Sequence, residues 1–483
     1  MELYVSEFSK YVIALLITLY TYECFAVFRY EEEKRRSGIY NRQNILMFAF
    51  HFSCFLVICF ETGDITYLFF YAFQQIMLYA VIVLYRMLYP KSNRLVVNNM
   101  CMLLSIGFVI LTRLGFEKAV KQFIIAAGSL VVALIIPFFV HKFKFLKDLK
   151  WIYAVVGIGA LSIVMLLGQT TYGSKLSYSI AGITFQPSEF VKVLFVFYVA
   201  SALYKASGFF EVFTTAVVAA AHVIVLVISK DLGSALIFFM VYVLMVFVAT
   251  RNFLYVIAGA LGGSAAAYIA YRVFTHVQVR VQAWKDPWSV IDSAGYQITQ
   301  SLFAISSGGW FGLGLFKGRP EDIPFVEADF IFSAVAEEFG IIFAVCLILI
   351  CVSCFIMFMN ISVRINDKFY QLTAFGLGVT YIFQVFLTIG GGSKFIPLTG
   401  VTLPLISYGG SSVLTTLIMF AVIEGLYIIK QDEEEQLKKV QKKKRKKKKQ
   451  AQQIVYEDEE HDSFESGIDE LEYLSGDEIE DEE

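Results

Sequence analysis

The chain has 483 residues, of which 57% are hydrophobic, 16% aromatic and only 17% charged, with a mean hydropathy of +0.65. Soluble domains carry about 25% charged and roughly 45–50% apolar residues, so a soluble globular fold is excluded. The net charge of −2 argues against nucleic-acid binding and conceals a split: residues 431–483 hold 10 Lys/Arg and 19 Asp/Glu, the first 430 residues 30 and 23.

A spanning helix needs roughly 17–25 mostly apolar residues. Thirteen stretches qualify, near 11–30, 44–62, 66–89, 96–115, 121–141, 152–169, 188–205, 210–229, 233–250, 253–273, 331–358, 369–390 and 404–429. The first is followed by Lys34, Arg35, Arg36 and Arg42 without a small-residue cleavage site, so it reads as a membrane helix and not a signal peptide. With thirteen alternating helices, the basic loops 31–43, 90–95, 142–151 and 359–368 share one side. The positive-inside rule makes that side cytoplasmic, with the N-terminus outside and the C-terminus inside. The seven Cys lie in apolar runs, Cys351 and Cys354 three apart within one of them, and the five His show no ligand spacing, so no metal site is assigned.

Charged groups at membrane depth are site hypotheses by default. Phe185-Gln186-Pro187-Ser188-Glu189-Phe190-Val191-Lys192 opens a span, with Pro187 suited to the first helical position and Glu189 to the positive end of the helix dipole. A cap and a local ion pair explain Pro187 and Glu189, but not a Lys pointing into a bundle. Lys230-Asp231-Leu232-Gly233 reads as a tight turn. Residues 274–330 form a long outer connection, too aromatic for disorder, in which short helices are expected. It begins near Arg280, passes Tyr296-Gln297 and a set of irregularly spaced glycines, and ends at Glu327-Ala328-Asp329. Asp329 stands at the mouth of the next span, while Glu337 and Glu338 lie two turns deeper and are expected to meet a Lys or Arg of a neighbouring helix. Lys394 precedes Pro397 and Pro404, which bend the chain before Ser411-Ser412 and the last span. The final segment has ten Lys/Arg among residues 438–449 and fifteen Asp/Glu among 457–483, blocks that do not fold alone. The basic block also suits anionic lipid headgroups.

The strings FQPSEFVK, YQITQSLFAISSGGWFGLGL, ADFIFSAVAEEFG and LPLISYGGSS, in this order, resemble the SEDS family (shape, elongation, division and sporulation; FtsW/RodA/SpoVE-like) over about residues 96–430. The resemblance implies an all-α polytopic membrane protein: a ten-helix catalytic core at 96–430, a three-helix N-terminal extension at 1–95, and a disordered charged cytoplasmic tail at 431–483. It implies a glycosyltransferase that polymerises lipid II into peptidoglycan at the outer face of the bacterial cytoplasmic membrane. Asp329 occupies the family's acidic position and is the expected general base. Glu327 and Ala328 replace the usual His and Thr, Lys230 replaces a Pro, and Thr388 an Asn. Lys192, Arg280 and Lys175 are the candidates for the substrate diphosphate, and Glu189, Ser188, Gln297, Lys394 and Ser411 complete the substrate-binding set. A divalent cation (Mg²⁺ or Mn²⁺) is implied as helper, and a class B penicillin-binding protein as partner alongside membrane lipids. Two rival classes remain open: a flippase of lipid-linked precursors, and a non-catalytic scaffold of the division or elongation machinery.

Overall fold

Hydropathy alone dictates most of the architecture. The computed structural model describes residues 2–30, 32–171, 174–180, 183–206 and 208–476. The chain separates into two compact units, Met1–Ile429 and Lys430–Glu483. In the first, α1 (Glu2–Arg29), α2 (Glu33–Thr62) and α3 (Thr66–Leu88) precede α4 (Arg94–Leu114), α5 (Phe116–Lys142) and α6 (Lys150–Leu167). Three short strands follow, β1 (Gln169–Thr171), β2 (Ser174–Ile180) and β3 (Ile183–Phe185), paired antiparallel in the order β1-β2-β3. Then come α7 (Pro187–Leu203), α8 (Phe209–Ile228), α9 (Leu232–Thr250) and α10 (Leu254–Val273). The long connection forms the short helices expected of it, α11 (Thr275–Lys285) and α12 (Tyr296–Ser307) with two 3₁₀ turns. The chain ends with α13 (Ile331–Arg364), α14 (Lys368–Gly392) and α15 (Gly410–Gly476).

Twelve of the described helices have the length and apolarity to cross a bilayer. The thirteenth expected span forms as α7, whose 17 residues sit at the short end of the roughly 17–25 needed. The meander between α6 and α7 escapes a search for spans. Its signal is the alternation of Leu176, Tyr178 and Ile180 with Lys175, Ser177 and Ser179, the period of a strand.

α4 is the central element, with its whole apolar stretch buried. Polar side chains tie it to the N-terminal helices. Asn99 accepts from the Tyr20 hydroxyl at 3.0 Å and the Cys24 thiol at 3.2 Å, and its own amide donates to Ser353 on α13 at 3.3 Å. Asn98 donates to Gln43 on α2 at 3.0 Å. Small and amide side chains of this kind hold helices together where lipid supplies no hydrophobic drive. α1 also reaches the long connection through Tyr11, whose ring centre lies 5.0 Å from that of Phe311.

α13 is broken at Gly340, where φ is 83° and ψ 175°. The backbone groups freed by the break are met by the glycine-rich loop before it. Leu313 and Gly314 donate to Glu337 O and Glu338 O, both at 3.0 Å. Ile341 donates to Gly309 O at 2.9 Å and Ile342 to Trp310 O at 3.3 Å. The irregular glycines thus serve close backbone approach: a Cβ at Gly312 would lie 2.1 Å from Glu338 O. Glu338 pairs with Arg113 of α4 at 2.8 Å, as expected of an acid at this depth. Glu337 differs: it accepts the backbone N–H of Arg319 at 3.0 Å.

The second unit is helical as far as Gly476, unlike the structureless tail that its like-charge blocks suggest. Lys, Glu and Gln are good helix formers, and the segment contains no proline to stop them.

Candidate active site

Asp329 lies in the turn before α13, two residues ahead of its first helical residue, with its N–H bonded to Phe325 O at 3.2 Å. The turn is held on the other side by the segment leading into α15. Ser407 donates to Ala328 O at 2.6 Å, and the Tyr408 N–H to Glu327 O at 2.7 Å. Glu327 itself pairs with Lys118 in the first turn of α5, at 2.5 Å.

Arg280 comes from α11 and donates to Leu398 O and Thr399 O, both at 3.3 Å. That places its guanidinium beside Gly400, whose φ of 76° suits glycine. A Cβ at position 400 would lie 3.6 Å from Asp329 Oδ2 and 3.8 Å from Arg280 Nη2, so acid and base flank one glycine. Burial raises the Asp329 pKa to about 6, with the Arg280 charge opposing the rise and Glu327 adding to it. Burial also lowers the Arg280 pKa, against the pull of Asp329 and Asp231.

The start of α7 contributes a second cluster. Pro187 takes the first helical turn, and Glu189 follows at its positive end. Lys192 is almost fully enclosed: its ammonium donates to both Glu189 oxygens, at 2.9 and 3.0 Å, and to Gln384 at 2.8 Å. Gln384 in turn donates to Thr402 O at 3.0 Å, and the Thr388 hydroxyl lies 2.9 Å from Val401 O. Through Gln384 the ion pair therefore reaches the Thr402 carbonyl. Ser188 donates to Asp231 at 2.9 Å, and Asp231 caps α9 by accepting from the Ser234 N–H at 3.1 Å. At Gly233 a Cβ would meet Thr399 O at 2.9 Å, so only glycine lets α9 approach this loop.

These parts enclose a cavity of about 510 Å³. Glu189, Asp231, Lys121, Gly400 and Ser411 line it, with Gly409, Gly410 and Ser412 at the entrance to α15. The Ser411 hydroxyl accepts the Gln186 N–H at 2.9 Å.

Of the residues predicted from sequence, Asp329, Arg280, Glu189, Ser188 and Ser411 gather at this cavity or its edge. Lys192 stands behind it, pinned to Glu189. Lys394 adopts φ 61° and offers its carbonyl to the Trp284 indole at 3.1 Å, while Gln297 is half-buried at the start of α12. The side chain of Lys175 lies outside the described residues. Two lining residues escape sequence reasoning. Asp231 reads as a turn until Ser188, 43 positions earlier, is seen to donate to it. Lys121 sits in the second turn of α5, beyond the reach of the helix dipole, and nothing beside it in the sequence points to a site.

Residues 66–431 match the sequence model of the FtsW/RodA/SpoVE family of cell cycle proteins, a span that includes α3. The chain is 32% identical over 360 residues to the peptidoglycan glycosyltransferase RodA of Mycobacterium leprae (strain TN), covering 69% of this chain and 77% of that one. It is 31% identical over 318 residues to the protein of the same name from Mycobacterium tuberculosis (strain ATCC 25618 / H37Rv), covering 62% and 67%. Among solved structures, its fold is similar to a chain from work on the structural coordination of polymerization and crosslinking by a peptidoglycan synthase complex. There the TM-score is 0.61 at 23% identity, covering 71% of this chain and 98% of that one. It is also similar in fold to the rod shape determining protein RodA of Thermus thermophilus, with a TM-score of 0.52 at 22% identity, covering 70% and 96%. By the extent of the sequence match and the shared fold, this chain belongs to the FtsW/RodA/SpoVE family.

Proposed function

We infer that the protein is a peptidoglycan glycosyltransferase that polymerises lipid II at the outer face of the cytoplasmic membrane. The observation that carries the reading is the meeting of Asp329 and Arg280 on either side of Gly400, at the rim of a cavity built from α5, α7, α9 and the start of α15. Polymerisation joins the 4-hydroxyl of one sugar to the anomeric carbon of another and expels a lipid diphosphate. Asp329 takes the hydroxyl proton as that bond forms. Arg280 and Lys121 face the charge that develops on the departing diphosphate. Lys192 acts one layer back as a positioning residue, holding Glu189 and, through Gln384, the Thr402 carbonyl. Inversion of an α-linked donor to a β-1,4 bond needs no covalent intermediate.

The residues do not form a resident cation site. Among the described residues no three His, Cys, Asp or Glu side chains cluster, and Glu189 and Asp231 already accept from Lys192, Ser188 and the Ser234 N–H. We propose that Mg²⁺ or Mn²⁺ enters only on the substrate's diphosphate, as Mg²⁺ commonly does.

The proposed topology has the N-terminus outside, the C-terminus inside and Asp329 on the outer face. The ion pair between Lys147 and Asp367, at 3.8 Å, supports it by joining two loops read as cytoplasmic. The proposed partner is a class B penicillin-binding protein, whose transpeptidase crosslinks the strands. Support comes from the similar fold found in a peptidoglycan synthase complex.

The reading is tested by incubating the purified protein with lipid II, alone and with such a partner, and resolving glycan strands by electrophoresis. Transfer of lipid II across vesicles without strands would favour the flippase. The pH profile gives an independent check. A base must be unprotonated, so the rate is expected to rise as pH increases through about 6 and then level off. Glu327→Gln should move that inflection to lower pH, because Glu327 raises the Asp329 pKa. Its exposed pair with Lys118 should cost less than about 1 kcal/mol of stability. An inflection that stays put, read from initial rates, would separate Asp329 from the proton transfer.

A further inference from the structure

A second cavity, of about 340 Å³, sits at the far end of α7. The Asp329 cavity touches α7 at Glu189, this one at Tyr198, Ser201 and Ala202. The 17 residues of α7 set the two ends ~25 Å apart at 1.5 Å per residue. Lys147, Lys150 and Lys205 line the second cavity, with Asp148, Glu211 and Trp151. Both acids are engaged. Asp148 accepts from the Tyr204 hydroxyl at 2.9 Å, and Glu211 accepts the Gly208 N–H at 3.1 Å in the cap of α8. The lysines are held more loosely: Lys147 and Lys205 stand 3.8 Å from Asp367 and Asp148, and Lys150 lies over the Trp151 ring at 5.5 Å. The Lys147 backbone is fixed by the Ser201 hydroxyl, which donates to its carbonyl. Trp151, which lines the cavity, is 60% exposed at the start of α6, and Phe210, next in sequence to the lining residue Glu211, is 74% exposed at the start of α8.

We propose that this cavity binds the headgroup of an anionic phospholipid, with the phosphate among the three lysines and the acyl chains along the aromatic side chains of α6 and α8. Basic pockets between spanning helices on the cytoplasmic side take such headgroups, and the topology above puts this end there. The volume suits one headgroup, at the lower limit of the ~300–1,000 Å³ usual for small-ligand pockets. Exposed aromatic side chains that face lipid select the lipid over a free anion.

The test is photo-crosslinking of the full chain with phosphatidylglycerol carrying a reactive group in its headgroup, followed by peptide mapping. Labelling is expected within 147–151 and 204–215, apart from any in the basic run 438–449. Lys147→Gln, Lys150→Gln and Lys205→Gln together should lower it about a hundredfold, at about 1 kcal/mol per basic side chain. The triple Arg variant should restore it, which shows that charge and not damage is read. Equal labelling by a phosphatidylcholine probe, no loss in the Gln variant, or displacement by inorganic phosphate alone would each overturn the proposal.

Discussion

Replacing Asp329 with Asn is expected to reduce lipid II polymerisation to background while the protein still inserts and folds. A carboxamide cannot accept the hydroxyl proton at any useful pH, and loss of a general base typically costs 10²–10⁴-fold. The fold should tolerate the change, because the local anchor is the Asp329 N–H to Phe325 O, a backbone bond. Burial already works against the charged form of this carboxyl, so its neutral isostere removes a desolvation cost. Arg280 keeps Leu398 O and Thr399 O. The check is strand synthesis by the Asn variant, normalised to folded protein by thermal unfolding in detergent. Parental activity in a correctly folded variant would remove Asp329 from the chemistry.

Gly340→Ala is expected to be among the most disruptive single substitutions in the chain. The position needs φ 83°, and a Cβ there would lie 2.2 Å from Gly312 N and 2.6 Å from Trp310 O. Both obstacles are backbone, so no rotamer change relieves them. Separating the loop from the break would forfeit four hydrogen bonds and leave Glu337 O, Glu338 O and the Ile341 and Ile342 N–H groups without partners. Unpaired buried backbone groups cost about 1–3 kcal/mol each, so a loss above about 4 kcal/mol follows. Thermal unfolding and protease sensitivity near residues 308–325 would report it. Polymerisation should fall as well, since this loop leads directly to Asp329. A variant that melts with the parent would mean that the two backbones do not interlock in this way.

The two substitutions differ in how visible their reasons are in the sequence. An acid at the mouth of a long apolar stretch is conspicuous, because charge and hydrophobicity can be read position by position. The apolar stretches are equally plain, since each satisfies its own backbone and needs no partner to be recognised. What lies between distant positions is hidden. Nothing around Lys192 shows that Gln384, 192 residues later, takes its third hydrogen bond, or that the enclosed ammonium supports a loop and does not reach the cavity. Gly340 looks like an ordinary helical glycine until the loop at 309–314 is found against it. Lys121 and Asp231 have the same character: their importance lies in which helix faces them.

The burial of α4 bears on how the chain is made. A helix carrying Asn98 and Asn99 in its second turn is a poor substrate for bare hydrocarbon, where each amide lacks a partner. Synthesis proceeds from the N-terminus, so α1 and α2 emerge first and present Tyr20, Cys24 and Gln43 before α4 arrives. The early helices thus act as a receiving dock during insertion. The order of the elements along the chain is therefore a biosynthetic schedule, and moving these helices to the C-terminus would strand α4 in lipid even if every final contact were preserved.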